Sequence, residues 1–582
     1  MFSARLHCIT TFSNICPHPV EKSCDMSYNV FNGIALRSPL RCGGMEIIMS
    51  KPSADIKKRQ GKFVRATSSF CTVAALIIFL SVMLYLYVNS LIGTVDMNMN
   101  NSMLENVEYH WDNFILGILV ILIAVAALLL CRRLLEKVNL WITVCVSVAL
   151  VLIIGCVWVS SSLSAPTHDS LIVSRAAYGA SVGDYSFLAA DYFKRFPFQL
   201  GYVLFSEIFI RLLGTADNYL AIEYVNVVFL AISYFSLLMM TRKTFKNDSV
   251  VKVLALLIPF CLQPILFCTF TYGNIPGLAF ACLALWQFCE IREGWRGWLH
   301  GFLCALCLGI SVSIKKNFMI VLVAILIIGL LRLILNRRLC ELVCLLLCVV
   351  SVLGVSSAVK AHYEARTGIE FGDGIPMVSW LAMGLNESAI APGWYNGIYT
   401  VTNFHSHDMD PDAAADASVE VIKERIEAFS AGPQYTRDFF AKKITSQWNE
   451  PTYQSLWTNQ VRGRYGDMGK LATYALVDGE AKVKSYMDGY VELIFALTAL
   501  AAILLIKNRE IEHVLLPTVI LGGFIYHALF EAKSQYAIVY LVLMLPLAAY
   551  AIEELYIKIR PLVTFRKAAP SKKSKRTAHG NS

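Results

Sequence analysis

About twelve apolar runs recur between Thr67 and Ile552, each long enough as a helix to cross roughly 30 Å of hydrocarbon. Lipid offers the backbone no hydrogen-bond partners, so a chain of this pattern has to satisfy its amides within helices. The expected fold class is therefore an all-α polytopic membrane protein. The runs lie near Thr67–Leu91, Phe114–Leu130, Leu140–Ser160, Tyr219–Met240, Val250–Phe270, Ile275–Ile291, Trp298–Ser313, Phe318–Leu335, Leu339–Val359, Tyr490–Ile506, Val514–Phe530 and Tyr536–Ile552.

With 56% hydrophobic and 16% charged residues among 582, a soluble domain is excluded. Most of the 17 cysteines fall in the runs or in the N-terminal tail, and Lys360–Asp488, the longest hydrophilic segment, has none, which argues against a disulfide-stapled secreted module. The net charge of +9 sits beside the runs, as the positive-inside bias requires, and so implies no nucleic-acid partner.

That bias sets the topology. Leu200–Leu213 is short and holds Glu207 and Arg211, so it is expected not to cross. Only then do Arg132 and Arg133, Arg242 and Lys243, Arg292 and Arg296, and Arg337 and Arg338 all fall in the cytoplasm, with Thr271–Pro276 (TYGNIP) and Lys315-Lys316-Asn317 outside. Five regions follow. Residues 1–66 form a cytoplasmic tail expected to be disordered, with translation from Met45 or Met49 as the alternative. Residues 67–359 form the membrane region, including an extracytoplasmic loop at 161–218. Residues 360–488 form a mainly helical extracytoplasmic domain whose best helical signal is Asp412–Phe429. Residues 489–556 supply the closing helices, and 557–582 a basic cytoplasmic tail.

The stretch Ser164–Gly201 mixes the carboxylates Asp169, Asp184 and Asp191 with bases, aromatics and a Phe-Pro-Phe-Gln-Leu-Gly turn, which neither a span nor a linker needs. Asp169 follows closely on an apolar run, at the membrane–water boundary. The plain alternative is a helix N-cap, since Thr167–Ser170 precedes an apolar-periodic stretch. His405–Asp410 (HSHDMD) has the ligand types for a divalent cation, although a polar loop before the next helix explains it as well. Trp394, Tyr395, Trp448, Tyr453 and Trp457 suit either stacking on sugars or anchoring at the interface.

In order, these motifs resemble the membrane glycosyltransferases that use polyprenyl-phosphate sugars, the GT-C fold shared by protein O-mannosyltransferases and the aminoarabinose transferase of lipid A. The resemblance rests on Asp169 after the first core span, on Phe196-Pro197-Phe198-Gln199-Leu200-Gly201, on Gly309–Lys316 (GISVSIKK), and on Glu531-Ala532-Lys533-Ser534-Gln535-Tyr536, where Gln535 stands in place of the common arginine. Met383–Asn396 and Trp448–Tyr453 resemble the Gram-positive branch. The resemblance implies about twelve spans around an extracytoplasmic site, a polyprenyl-phosphate-sugar donor and a cell-envelope acceptor, namely a glycan, a teichoic-type polymer or a protein. Asp169 would be the catalytic base, with Lys315, Lys316, Gln199, Tyr272, Asn274, Glu531, Lys533, Asp184 and Asp191 about the donor. A glycosyl phosphate already carries a good leaving group, so a base and a cation are the chief needs. No cofactor is required, and a divalent cation is admitted. The rival class is a transporter or flippase of lipid-linked sugars, which would place ionisable groups near the midplane.

Overall fold

The computed structural model describes residues 54–99, 105–214, 219–508 and 510–565. The expectations for the tail before residue 54, and for most of the basic C-terminal tail, fall outside them. Everything below belongs to the compact unit Gly61–Ser582.

Ten helices among the described residues are long and apolar enough to cross a membrane: Ala66–Ile92, Phe114–Lys137, Leu140–Ser162, Leu220–Phe245, Trp295–Ile314, Lys316–Asn336, Leu339–Thr367, Glu480–Asn508, Ile511–Leu529 and Ile538–Pro561. Asp248–Phe260 and Leu262–Thr269 make an eleventh, bent by 51° beside Pro259 and Pro264. The run near Ile275–Ile291 becomes the helix Asn274–Glu290, whose 17 residues rise about 25 Å, short of the usual hydrocarbon core. The expected twelve full spans are thus ten or eleven. The molecule is an all-α polytopic membrane protein.

The two ends of the bundle differ in charge. At one end lie the paired bases: Arg132 with Glu553, Lys243 with Glu290 at 2.7 Å, Lys246 with Glu510 at 3.6 Å, Arg338 with Glu293 at 3.6 Å, and Arg332 with Glu341 at 3.2 Å. At the other end sit the loops after Ser162, Thr269, Ile314 and Leu529, and the helices between 368 and 479. The Leu200–Leu213 helix keeps to that second end. Its Glu207 accepts from Tyr363 Oη at 2.7 Å and from Arg366 at 2.9 Å, near the C-terminus of the Leu339–Thr367 helix, while Arg211 donates to Ala180 O at 2.8 Å. Gly201 lets that helix start against the last turn of Trp295–Ile314: a Cβ there would lie 1.9 Å from Ser313 O.

Single cysteines at Lys243 and Arg337, in a cysteine-free background, are therefore expected to label from one side of the membrane, and cysteines at Lys316 and Asp412 from the other. Labelling of Lys243 and Lys316 from the same side would break the arrangement.

One feature departs from the sequence reading and one agrees with it. The acidic loop after the first span folds as an antiparallel ribbon, Gly93–Met99 with Glu105–Trp111. It is tied inward where Val95 N donates to Asn449 O at 3.0 Å and Asn449 Nδ2 to Gly93 O at 2.9 Å. The helix expected at Asp412–Phe429 runs Pro411–Ala431; Asp410 caps it, accepting from Asp412 N at 2.9 Å, and Pro411 occupies its first turn. This assigns Asp410 of the HSHDMD stretch to capping, while His405 reaches Asp191 at 3.2 Å and His407 Nδ1 lies 2.8 Å from Asn403 O.

Candidate active site

Asp169 lies in the first turn of the His168–Val182 helix, but it does not cap it. Thr167 and Ser170 do so: Thr167 N donates to Ser170 Oγ at 3.2 Å, and Ser170 Oγ to Thr167 O at 2.7 Å. His168, just before Asp169, holds φ at +47°, a region that costs a non-glycine residue about 1–3 kcal/mol and persists only where its surroundings impose it. The exposed Asp169 carboxylate is thereby free to accept from another segment, and it does so from Tyr272 Oη at 3.2 Å.

Tyr272 is the hub. Its hydroxyl accepts from Gln199 Nε2 at 2.6 Å and meets Tyr192 Oη at 2.9 Å, so with its proton given to Asp169 it uses one donor and both lone pairs. Burial, with Tyr192 and Asp169 alongside, raises its pKa and keeps that proton in place. The Lys315 ammonium lies 4.3 Å from the centre of its ring. The loop that presents Tyr272 is fixed on both sides. Gly273, at φ +86°, turns the chain where a Cβ would meet Ile314 O at 3.0 Å. Behind it Arg462 donates to Thr269 O and lies 4.8 Å over the Phe270 ring, and Phe270 packs 5.5 Å from Tyr272.

Lys315 ends the Trp295–Ile314 helix in extended backbone. Burial lowers its pKa to about 8, against the opposing pull of Glu531 and Asp169. It also lines a narrow cleft between membrane helices, together with the polar Asn274, Asn317 and Tyr536 and with Phe318, Ile320, Val321, Val519, Val539 and Tyr540.

Glu531 and Lys533 face this cluster from the far end of the sequence, though they do not pair with each other. Glu531 accepts from Tyr536 Oη at 3.0 Å, and burial raises its pKa. Lys533 binds Glu105 of the ribbon at 2.6 Å; burial works against its charge, but Glu105 and Glu531 outweigh it and the pKa rises. Both segments of the Gram-positive-like pattern hold this stretch. From Met383–Asn396, Gly393 O accepts from Ala532 N at 2.8 Å, while Lys443 Nζ ties Gly384 O to Phe530 O at 2.7 Å from the latter. From the other, buried Glu450 accepts from Ser534 Oγ at 2.9 Å and Gln454 N at 2.6 Å, and Gln454 Nε2 reaches Glu105 at 2.8 Å.

Of the residues singled out in the sequence, the structure gathers Asp169, Gln199, Tyr272, Lys315, Glu531 and Lys533 into one neighbourhood, with Asn274 on the adjoining cleft. Three stand apart. Asp184 closes the turn after Gly183, accepting from Ser186 N at 2.9 Å, a bond that lowers its pKa. Asp191 pairs with Arg195 at 3.3 Å and with His405. Lys316 faces a different cavity. Among the aromatics, Trp394, Trp448 and Tyr453 are fully buried packing residues and Trp457 packs, partly buried, against the cluster of Met97, Trp394 and Ala532, while half-exposed Tyr395, whose pKa is raised by burial and by Glu531 and Asp169, faces the site. Sequence reasoning missed Tyr192, Glu105, Lys443, Glu450 and Arg462. Alternating polarity in the Glu105–Trp111 stretch was the one local signal among them. Among the described residues, the group of metal-ligand types within reach of one ion is Cys304, Cys344 and Cys348, buried between membrane helices and away from this site.

Tyr272→Phe is expected to leave the buried Gln199 amide and Tyr192 hydroxyl without their acceptor and so to cost about 1–3 kcal/mol of stability; thermal unfolding identical to wild type would take Tyr272 out of its place as the hub.

The fold and site define a polytopic integral membrane protein with a preorganised polar cluster at one end of its bundle. By the match of residues 66–556 to the family model, the chain belongs to the family described as conserved hypothetical integral membrane proteins. No curated protein matches it. Among solved structures, it is similar to the archaeal oligosaccharyltransferase AglB from Archaeoglobus fulgidus, in complex with an inhibitory peptide and a dolichol-phosphate, at 11% identity and a TM-score of 0.40 over 76% of this chain and 53% of that one. The chain thus spans about half the length of that protein.

Proposed function

We propose that the protein is a membrane glycosyltransferase of the GT-C type that moves a sugar from a polyprenyl-phosphate carrier to a cell-envelope acceptor at the outer face of the cytoplasmic membrane. One observation carries this reading: a carboxylate held by a phenol, Asp169 on Tyr272, shares its surroundings with an ammonium, Lys315, that lines a mainly apolar cleft between membrane helices. A base and a phosphate-binding cation are what such a donor requires, and the cleft, with about 20 Å³ of free space as it stands, is where these helices would part to admit a lipid tail.

In this scheme the donor phosphate rests on Lys315 with its isoprenoid chain along Phe318, Val321 and Val539. Asp169 takes the proton of an acceptor hydroxyl as the oxygen attacks the anomeric carbon. The bond from that carbon to the phosphate oxygen breaks, the electron pair leaves with the phosphate, and configuration inverts. Lys315 and Lys533 stabilise the departing charge, and Gln199 and Tyr192 keep the Tyr272 hydroxyl aimed at Asp169. The basic end of the bundle, by the positive-inside tendency, supports a cytoplasmic position for Arg132, Lys243 and Arg338 and an extracytoplasmic one for the site.

The test is incorporation of labelled sugar from a polyprenyl-phosphate donor by the purified protein, with and without a chelator so that a divalent cation is assayed directly. Transfer that depends on Asp169 supports the reading. Movement of the labelled lipid between leaflets without transfer would replace it with the flippase.

A further inference from the structure

Lys315 and Lys316 are neighbours in sequence but serve different cavities. Extended backbone at Lys315, φ −149° and ψ 111°, sends successive side chains to opposite sides. Lys315 turns toward Tyr272, whereas Lys316 opens onto a cavity of about 190 Å³ behind the Pro197–Gly201 segment. Its walls are Pro197, Phe198 and Leu200 on one side and Ser313, Ser356 and Lys360 on the other. The half-buried Lys316 ammonium makes no hydrogen bond or ion pair among the described residues, and Ser356 Oγ is buried without a partner. At the rim Lys360 donates to Gly372 O at 3.1 Å and lies 3.7 Å from Asp373, which is almost fully exposed.

A half-buried cation with no counter-charge has lost hydration without regaining it from protein, and an orphaned hydroxyl in the same cavity has the same deficit. A phosphate supplies both with acceptors. The apolar wall of Pro197, Phe198 and Leu200, and the cavity's place at the site end of the Leu339–Thr367 helix, suit a headgroup whose chains continue into the bilayer.

We propose that Lys316, with Ser356 and Lys360, forms a second phosphate-binding site, separate from the Lys315 cluster and taking a phosphate monoester such as a lipid headgroup. It goes beyond the transferase reading and does not depend on it. The segment between the two sites carries Gln199, which donates to Tyr272, so occupancy of one cavity is one peptide away from the other.

The experiment is calorimetric titration of the full-length protein in phosphatidylcholine nanodiscs, with dihexanoyl phosphatidic acid as the probe and inorganic phosphate in a parallel arm. The Lys315→Ala protein isolates the second site. Saturable binding there that weakens at least tenfold when Lys316→Ala is added, and is kept within about threefold by Lys316→Arg, supports the site. Lys316→Met preserves the apolar stem if the alanine variant is unstable, and Lys360→Met probes the opposite wall. Displacement of the probe by equal inorganic phosphate identifies the ligand as free phosphate, and binding of the lipid alone identifies a headgroup; both keep the phosphate assignment. No saturable binding to the Lys315→Ala protein, or equal affinity with and without Lys316, overturns it. Because the readout is binding, failure here leaves the sugar-transfer assay standing.

Discussion

Asp169→Asn is expected to lower turnover by at least a hundredfold, the usual size of losing a general base, while expression, thermal stability and donor affinity stay close to wild type. The geometry sharpens this expectation. The helix that carries Asp169 is capped by Thr167 and Ser170, so neither asparagine nor alanine at 169 removes a capping bond. An asparagine side-chain oxygen still accepts from Tyr272, so the hub keeps its arrangement; what disappears is a group able to take a proton from an acceptor hydroxyl. Asp169→Ala should then match asparagine in activity loss and stay within about 0.5 kcal/mol of wild-type stability, as befits an exposed side chain. A fully active Asp169→Asn protein would dismiss the residue as the base.

The second large effect concerns Lys315. A charge-assisted contact to a lipid phosphate is worth roughly 1.5–3 kcal/mol, so Lys315→Ala should weaken use of the polyprenyl donor about ten- to a hundredfold. The lowered pKa adds a signature that a purely structural lysine would lack. Below about 8 the ammonium is charged and binds the phosphate; as pH rises through that value the proton is lost, and the KM for donor should climb about tenfold per unit. Arginine stays charged over this range, so Lys315→Arg should flatten the climb even if its larger head lowers turnover. Donor kinetics unchanged in Lys315→Ala, or a KM that does not respond to pH between 7 and 9.5 in the wild type, would remove it from the phosphate site.

How much of this could be read from the chain alone depended on the range of the interactions. Charge beside an apolar run is a local signal, and it placed Asp169, Tyr272 and Lys315 at one end of the bundle. The short, charged Leu200–Leu213 helix was equally plain, because Glu207 and Arg211 cannot sit in hydrocarbon without partners. Three things were not legible. Lys315 and Lys316 looked interchangeable because only the backbone angles at a helix end decide where each points. Trp448 and Tyr453 have the composition of a sugar-stacking surface and turned out to be packing, since burial is set by helices far away in sequence. The alternation that begins at Glu105 signals a strand but not a partner, for the meaning of its carboxylate comes from Lys533. The bent Asp248–Thr269 pair and the short Asn274–Glu290 helix trimmed the count of spans because hydropathy measures how apolar a run is, while prolines and helix ends determine how far it reaches.

The contact between Lys533 and Glu105 also bears on how the protein is made. More than four hundred residues separate the pair, so at roughly 5–20 residues per second the ribbon carboxylate waits roughly twenty to ninety seconds after its own synthesis before its cation exists. Until the closing helices emerge, Asp169, Tyr272 and Lys315 are in the membrane without Glu531 and Lys533 opposite them. A chain stalled or clipped before Leu529 would be inserted but unfinished at this end, so the order of synthesis makes the polar cluster the last part of the protein to be completed.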